Sequence, residues 1–577
     1  MRYNFLFFVV LSSLSGFSQI PDSIRFDWNV SGEEPIFKPE IKINVLDFGF
    51  GNDGVFDNTS KLQSLINSLQ SDSQLVIYFP TGLYKFSATI YLRSGITIEG
   101  EGGTNTKFMF DNGGSGNLFE VIATQSSNFI FLKNGLTIHS RIIEADSQLT
   151  TNKYYEFLVD GDGYTTSDWA KSSIGQIFKI DSIINDSAFL STQLKLDYYK
   201  YKNPRIRLIN PIRDVHFKYI SLERLDKTSG QTANFNFNYA INCTVIGVES
   251  NRTNMSHITM GKSYRCRVAD SYFHHAHDYG GGGKAYGVEL RYSTSNCLIE
   301  NNIFDNLRHS ILLQAGPNGN VIAGNFSINP FWKEGIFPAN SAGELVLHGN
   351  YPFANLFESN EVGNIVVDNS HGINGPGNVF YRNKASLWGV LMNTGAGHAT
   401  HFIGNEIIGT LNILTGDGNV NYVNYTSTTD PSIFKNIVVP QSLYVKNKPI
   451  WWPTKKPFPA LGLPPTKNLT HIPASYRYNH DSLRALKATS NIFLANFINV
   501  FKKINDSLTI ELESKLQVNV SSLILEKFYT KHKIWSPITS DFSNRHLFQT
   551  DTIKEFVLLA KETSCYRWVA KGMNFQE

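Results

Sequence analysis

The chain has little that would hold it together by covalent or ionic means. Four cysteines in 577 residues exclude a disulfide-dense scaffold. No Cys or His spacing is short enough to mark a metal site. Charged residues make up only 18% of the chain, and the formal net charge is +3 with no long basic run, so nothing electrostatic points to nucleic acid as a partner. After the first residues no stretch is apolar enough to cross a bilayer. What is abundant is glycine, at 44 residues, and aromatic side chains, at 13%. That mixture suits a β-rich, turn-rich protein with stacking surfaces. A hydrophobic content of 41% over this length buries a large core, either in several domains or in one long solenoid, and a repeat decides between them.

The opening, MRYNFLFFVVLSSLSGFSQ, reads as a signal peptide over residues 1–19: Arg2 gives the positive start, Phe5 to Leu11 the apolar run, Ser15 to Ser18 the small-residue exit. The run is too short to span a membrane. No cysteine lies near the exit, so lipid anchoring has no support there. The expectation is a secreted or periplasmic protein, with residues 20–43 as a linker.

From residue 243 the chain aligns with itself. INCTVIGVES, YRCRVADSYF, SNCLIENNIF, GNVIAGNFS, ANLFESNEV, GNVFYRNKA and ATHFIGNEI place Cys243, Cys266, Cys297, Asn320, Asn355, Asn378 and Thr400 in one phase, at intervals of 23, 31, 23, 35, 23 and 22. Five positions further on stand Asn302, Asn325, Asn360, Asn383 and Asn405, and Asn424 continues the series. A period of this size makes each coil a unit that buries its apolar side chains only by stacking on its neighbours. A recurring asparagine forms a ladder, its amide bonding the coils above and below. The three cysteines fall in one rung series and read as a buried column of small hydrophobes. The fold predicted is an all-β, single-stranded right-handed parallel β-helix.

Residues 44–140 carry the cap and first coils. Leu62, Leu65, Ile66 and Leu69 fall on one helical face behind Asp57, Asn58 and Thr59 as caps, and the runs Leu75 to Phe79 and Ala88 to Leu92 follow as strands around the turn Pro80-Thr81-Gly82. A helix ahead of short strands covers the open end of a solenoid. The series DFG, GNDG, DNTS, YFPTGLY and GITIEGEGG resembles the opening of the pectate-lyase-superfamily, rhamnogalacturonase/epimerase-like β-helix proteins. The resemblance covers residues 44–110. It implies the fold and a carbohydrate context, and its motifs contain no catalytic residues.

Three regions depart from the coils. Residues 141–212 alternate in strand fashion and predict a small β insertion, and within them Asp160 and Asp162 in DGDG read as an Asp-Gly turn more readily than as part of a calcium loop. Residues 213–440 form the main β-helix. Residues 441–475, with WWPTKKPFPALGLPP, predict an extended surface segment. In residues 476–577 the spacing of Leu483, Leu486, Phe493, Phe497 and Phe501, with a capping box at Thr552 and Glu555, predicts a mostly helical appendage.

The two long intervals hold the extra residues HHAHDYGGGGKAYG and NPFWKEGIFPANSAGE. Loops that leave a regular scaffold are where binding and catalysis concentrate. The run Gly280 to Gly283 lacks the Lys-Ser/Thr and helix of a phosphate loop, and reads as a sharp turn or close backbone approach. Counting from the rungs, Asn254, His277 and Arg308 fall together, as do Asp278 with His309 and His348 with His371. The predicted catalytic set is His277, Asp278, Arg308, His309, Glu289 and Tyr286. The predicted substrate-binding set is His275, Arg291, Trp332, Lys333, His348 and His371, with no metal and calcium unsupported. The arginines offer bidentate contacts to the carboxylates of an acidic polysaccharide, and His277, His309 or Tyr286 offer the base and acid of a β-elimination, or of an epimerisation if the proton returns from the other face. Hydrolysis would use a carboxylate pair from Asp278, Glu289 and Asp305, although the closely spaced Asp pairs of polygalacturonase-type relatives are missing. A non-catalytic glycan-binding or tailspike-like protein would use Trp332, Tyr279 and Trp388 as stacking surfaces. The expected reading is a polysaccharide lyase, with a glycoside hydrolase and a glycan binder as alternatives.

Overall fold

The computed structural model describes residues 25–32, 41–69, 74–412 and, with short gaps, 418–486, and beyond these the backbone of strands between Phe497 and Phe575. The expected signal peptide lies outside the described residues.

Each coil contributes three strands. In one coil these are Arg267–Ala269, Tyr272–Ala276 and Tyr286–Arg291; in the next they are Leu298–Glu300, Ile303–Asp305 and His309–Gln314. Successive coils pair in parallel, with Val268 opposite Ile299, Phe273 opposite Phe304 and Val288 opposite Ile311. All six of these side chains are buried in one continuous core. Because side chains alternate across a strand, a slip of one residue would turn that whole set outward, so the apolar columns fix the register. The column continues as stacked rings, Phe357 on Phe380 at 4.5 Å and Phe380 on Phe402 at 4.7 Å between centroids.

The asparagine ladder takes the predicted form. Asn360 Oδ1 accepts from Asn325 N and Nδ2, both at 3.0 Å, while its Nδ2 donates to Ile322 O and to Asn383 Oδ1, both at 2.9 Å. Asn302, Asn383, Asn405 and Asn424 extend the same chain of bonds. The cysteine column is buried and its thiols are free. Asn320 Oδ1 accepts from Cys297 N (2.9 Å), so asparagine takes over the column where cysteine ends.

At the N-terminal end the helix Thr59–Ser68 turns Leu62 and Ile66 into the core, with Asp57 Oδ1 accepting from Thr59 N (3.0 Å). The β insertion forms a seven-stranded antiparallel sheet between Thr124 and Asn210, leaving after the strand Phe119–Ile122 and returning before His216–Lys218. It starts earlier than the alternation at 141 indicates. Buried Glu156 ties it to the coils, bonded by Arg207 (2.6 Å), Tyr239 Oη (2.8 Å) and Ser293 Oγ (2.7 Å). Asp160 is consumed by Asn203 and Arg205 within the insertion, as a turn residue would be.

The Pro-rich segment crosses the second face of the helix, the one built by Tyr272–Ala276 and its equivalents. Trp452, Leu461, Ile472 and Ala474 bury against Tyr272, Ile303 and Phe326. The short helix Pro473–His480 follows, and Ser475 Oγ donates to Glu361 (2.6 Å) while Trp451 Nε1 donates to Glu300 (2.6 Å). Beyond it the helical expectation fails. From Phe497 to Phe575 the described segments are strands in three antiparallel sheets of three, and Thr552 and Glu555 lie in the strand Thr552–Leu559. Leu508, Ile510 and Leu512 alternate, a period of two that competes with the helical spacing of Phe497 and Phe501. Ile504 pairs with Ser507 across Asn505-Asp506, residue types suited to a hairpin turn.

Two buried carboxyls carry a pH consequence. Burial pushes Glu344 and Glu358 up from 4.5 to about 7. Below the unfolded value both states hold the proton and nothing changes; as pH rises, the unfolded chain ionises first and stability falls until the folded groups titrate near 7. Buried His216, His309 and His401, lowered from 6.5 to about 3, 3 and 4, act in the opposite sense below the unfolded histidine value, so the drop in denaturation midpoint is expected between about pH 6.5 and pH 8. The drop should shrink in a Glu344→Gln, Glu358→Gln double variant; an equal decline in the variant would remove these groups as its cause.

Candidate functional site

With the second face covered, the outer surface of the third face, built by Tyr286–Arg291, His309–Gln314 and Leu345–Leu347, is the one flanked by projections on both sides. On one side stand the loops at 277–285 and 329–344, on the other the β insertion. Its floor is apolar, formed by Met255, Tyr286, Leu312 and Val346. Over this floor a line of rings and cations runs from rim to rim. Trp332 packs on the Arg308 guanidinium (4.6 Å), which also faces the Tyr286 ring at 5.9 Å. Tyr286 lies 5.1 Å from His309, His309 6.2 Å from His348, His348 4.9 Å from His371, and His371 5.9 Å from Trp169 of the insertion.

The polar atoms along that line are arranged for proton transfer. His348 Nδ1 donates to Asp368 Oδ2 (2.7 Å). Burial alone would raise the Asp368 carboxyl, but the bonds from His348 and Ser370 hold it below the usual range, so it stays ionised and fixes the ring with Nε2 as its free nitrogen. His309 Nδ1 donates to Gly343 O (2.6 Å), and burial beside Arg308 lowers its pKa to about 3, leaving a neutral ring whose Nε2 has no partner. Burial raises the Tyr286 phenol to about 12, against the pull of Arg308, so it keeps its proton. Arg308 Nε, Arg291 Nε and Trp332 Nε1 are likewise buried without a hydrogen-bond partner. Buried orphan donors cost free energy, and their concentration on one surface suits a ligand rich in acceptor oxygens.

The remaining predicted residues have other partners. His277 donates Nε2–H to Arg224 O (3.1 Å), and Asp278 is bonded by Lys333 (2.7 Å), which lowers it to about 2. Both contact Arg224 and Lys333 rather than His309 or His348. Rung counting misplaces them because eight extra residues intervene: Arg308 N bonds to Ala285 O, while His277 N bonds to Thr253 O in the preceding coil. His275 lies against His274 (2.8 Å between Nδ1 atoms). Glu289 sits beneath the surface, accepting from Gln314 (2.7 Å) and Thr259 (3.1 Å), with Arg291 at 3.8 Å. Asp305 accepts from Tyr272 and Tyr478 under the covered face. Tyr279 donates to Asn306 and packs on Phe331, and Trp388 packs on Phe337. The glycine run earns its composition at Gly282 and Gly283, whose φ values of +72° and +78° other residues rarely adopt. Gly280 O meanwhile accepts from Arg308 (3.1 Å).

Sequence reading missed Asp368, Gln314 and Trp169. The signal for the first two lay in the strands: Arg291 pairs with Gln314, and His348 and Asp368 each follow by one residue the paired Leu347 and Val367. Trp169 had no such signal, since the insertion's strands do not reveal where its loops return. Among the described residues, no group of three or more His, Cys, Asp or Glu side chains is arranged to hold a metal ion, and no helix is long and apolar enough to cross a membrane.

Comparison with known proteins agrees with the architecture. Residues 42–130 match the family described as rhamnogalacturonase A/epimerase, pectate lyase-like. No curated protein matches the chain. Among solved structures it is similar to the tailspike protein gp49 from Pseudomonas phage LKA1 at 13% identity and a TM-score of 0.43, over 64% of each chain. It is similar to the surface adhesin PfbA of Streptococcus pneumoniae at 12% identity and a TM-score of 0.35, over 67% of this chain and 97% of that one. The A-module of the mannuronan C-5 epimerase AlgE6 from Azotobacter vinelandii gives 13% identity and a TM-score of 0.28, over 67% of this chain and all of that one. The chain spans 64% and 65% of the two Pseudomonas phage tailspikes it matches. The stacked parallel coils make the chain a parallel β-helix protein whose residues 42–130 are similar to the pectate-lyase-like rhamnogalacturonase A/epimerase family.

Proposed function

We propose that the third face binds an acidic polysaccharide and cleaves it by β-elimination, in an exported protein. The observation that carries this reading is the His348–Asp368 pair beside two arginines with orphaned nitrogens. Arg308 and Arg291 neutralise the uronate carboxylate, which acidifies the proton on the adjacent carbon. His348 Nε2 takes that proton. The electron pair left behind forms the carbon–carbon double bond as the neighbouring carbon–oxygen bond breaks, and the leaving oxygen takes a proton from Tyr286. His309, neutral across the physiological range, lies between the two and accepts a hydrogen bond without adding charge.

Hydrolysis is less well served, since it needs one carboxyl held protonated beside the scissile bond. Asp278 and Asp368 are both held below the usual range, Asp305 lies under the covered face, and Glu289 accepts from both Gln314 and Thr259. The family matched by residues 42–130 includes enzymes acting on polysaccharides, consistent with catalysis.

The test is to incubate the protein with alginate, polygalacturonate, ulvan and chondroitin sulfate while following both the ultraviolet absorbance of unsaturated products and new reducing ends. Both signals rising together on an acidic polymer is the expected result. Reducing ends without absorbance would overturn elimination in favour of hydrolysis; a change in sugar configuration without cleavage would make the reaction an epimerisation.

A further inference from the structure

The insertion edge of the third face holds a second cluster, which shares only Arg291 with the elimination step. Trp169, on the short turn Asp168–Ala170, is 46% exposed, an unusual degree for an indole. Its ring stands edge-on to Tyr292 at 6.2 Å. Tyr292 in turn carries two cations, Arg291 at 5.3 Å and Lys262 at 5.4 Å from its ring centroid. Lys262 also lies 5.2 Å from the Tyr239 ring and, among the described residues, makes no ion pair. The carboxylates nearby are committed elsewhere: Glu156 to Arg207, Tyr239 and Ser293, and Glu289 to Gln314 and Thr259. Gly261 makes the arrangement possible, because a Cβ there would stand 3.2 Å from the Tyr292 ring.

An exposed aromatic plate beside a half-buried amine, whose nearest carboxylate, Glu156, is already bonded by Arg207, Tyr239 and Ser293, is a recognition surface for a sugar ring bearing an anionic group. The apolar face of the ring stacks on the indole, and the acid meets the cations. We infer that Trp169, Tyr292 and Lys262 form a distal subsite that holds a uronate or sulfated sugar next to the one at His348. This rests on the third face being the polysaccharide-binding surface. His371 joins the two positions, since it touches both Trp169 and His348. The insertion is thereby a specificity element: it adds a wall that selects chains long enough to reach it.

The experiment is affinity electrophoresis of the full chain through gels containing alginate, polygalacturonate or chondroitin sulfate, with neutral dextran as control. Trp169→Ala, Lys262→Gln and His348→Ala are run beside the parent protein, with circular dichroism of each as the check on folding. The expected result is retardation of the parent by at least one anionic polymer and not by dextran, weakened about tenfold or more in Trp169→Ala and in Lys262→Gln but retained in His348→Ala. On short oligosaccharides of the same polymer the Trp169 variant is expected to behave as the parent does. Unchanged retardation of folded Trp169→Ala and Lys262→Gln overturns the subsite and leaves the elimination proposal standing. Loss of elimination with binding intact at Trp169 overturns only the chemistry. Absence of retardation by any anionic polymer overturns both.

Discussion

Replacing His348 with alanine is expected to lower turnover by roughly 100- to 10,000-fold while leaving the affinity for polymer within a few-fold of the parent's, because the imidazole contributes proton transfer rather than charge. Asp368→Asn provides the sharper comparison. The amide fills the same space but no longer favours the Nδ1–H form of His348, so the ring can turn its bare nitrogen toward residue 368 and its N–H toward the substrate. Turnover is expected to fall by a similar factor, since the ring no longer holds its bare nitrogen toward the substrate. Single-turnover absorbance measurements across pH, with KM and kcat separated, check both variants. A His348→Ala protein that retains parental turnover would exclude this pair from the chemistry and shift attention to His309, the other imidazole there with an unpartnered Nε2.

The second large effect concerns the scaffold. Asn360→Ala removes an acceptor used twice by Asn325 and a donor used by Ile322 O and Asn383 Oδ1. The partner groups are buried, and Asn325 N and Ile322 O lose the bond that Asn360 gives them. At about 1–3 kcal/mol for each stranded group, the loss is expected to reach roughly 3–6 kcal/mol, a large fraction of the stability of a typical domain. Chemical denaturation followed by far-ultraviolet circular dichroism measures it. A loss below about 1 kcal/mol would mean that the coils relax to re-pair those groups and that the ladder records the repeat without supporting it.

The repeat was legible because it is local. Each coil must return an asparagine and an inward apolar residue to the same place, so the spacing is written along the chain and survives in the register of Val268, Ile299 and Ile322. The cysteine column was legible for the same reason. The site was legible only in part. Arg308, His309, His348 and His371 lie on regular strands or just beside them, and counting brings them near one another. His277 and Asp278 precede the extra residues of their loop, so counting from the rungs stacks Arg308 on His277 where the structure stacks it on Ala285. Trp169 was out of reach, because its position depends on how an antiparallel sheet of nearly ninety residues, Thr124 to Asn210, folds back on the helix. The C-terminal segments were misread because two periods overlap there, and antiparallel pairing, which no single segment displays, decides between them.

The segment lying across the second face changes how the solenoid comes apart. Coils that touch only their neighbours unzip from a free end one at a time, each opening costing only its own interface. Here Leu486 N bonds to Asp270 O, Trp451 to Glu300, Leu443 N to Glu358, and Leu463 N to Gly404 O, so a single stretch of chain is stapled to four different turns of the stack. An end that frays must peel this staple away before the next turn can follow, which couples turns that never meet. The middle of the helix, where the candidate site lies, thereby melts as one block, and damage at either end stops short of the histidines.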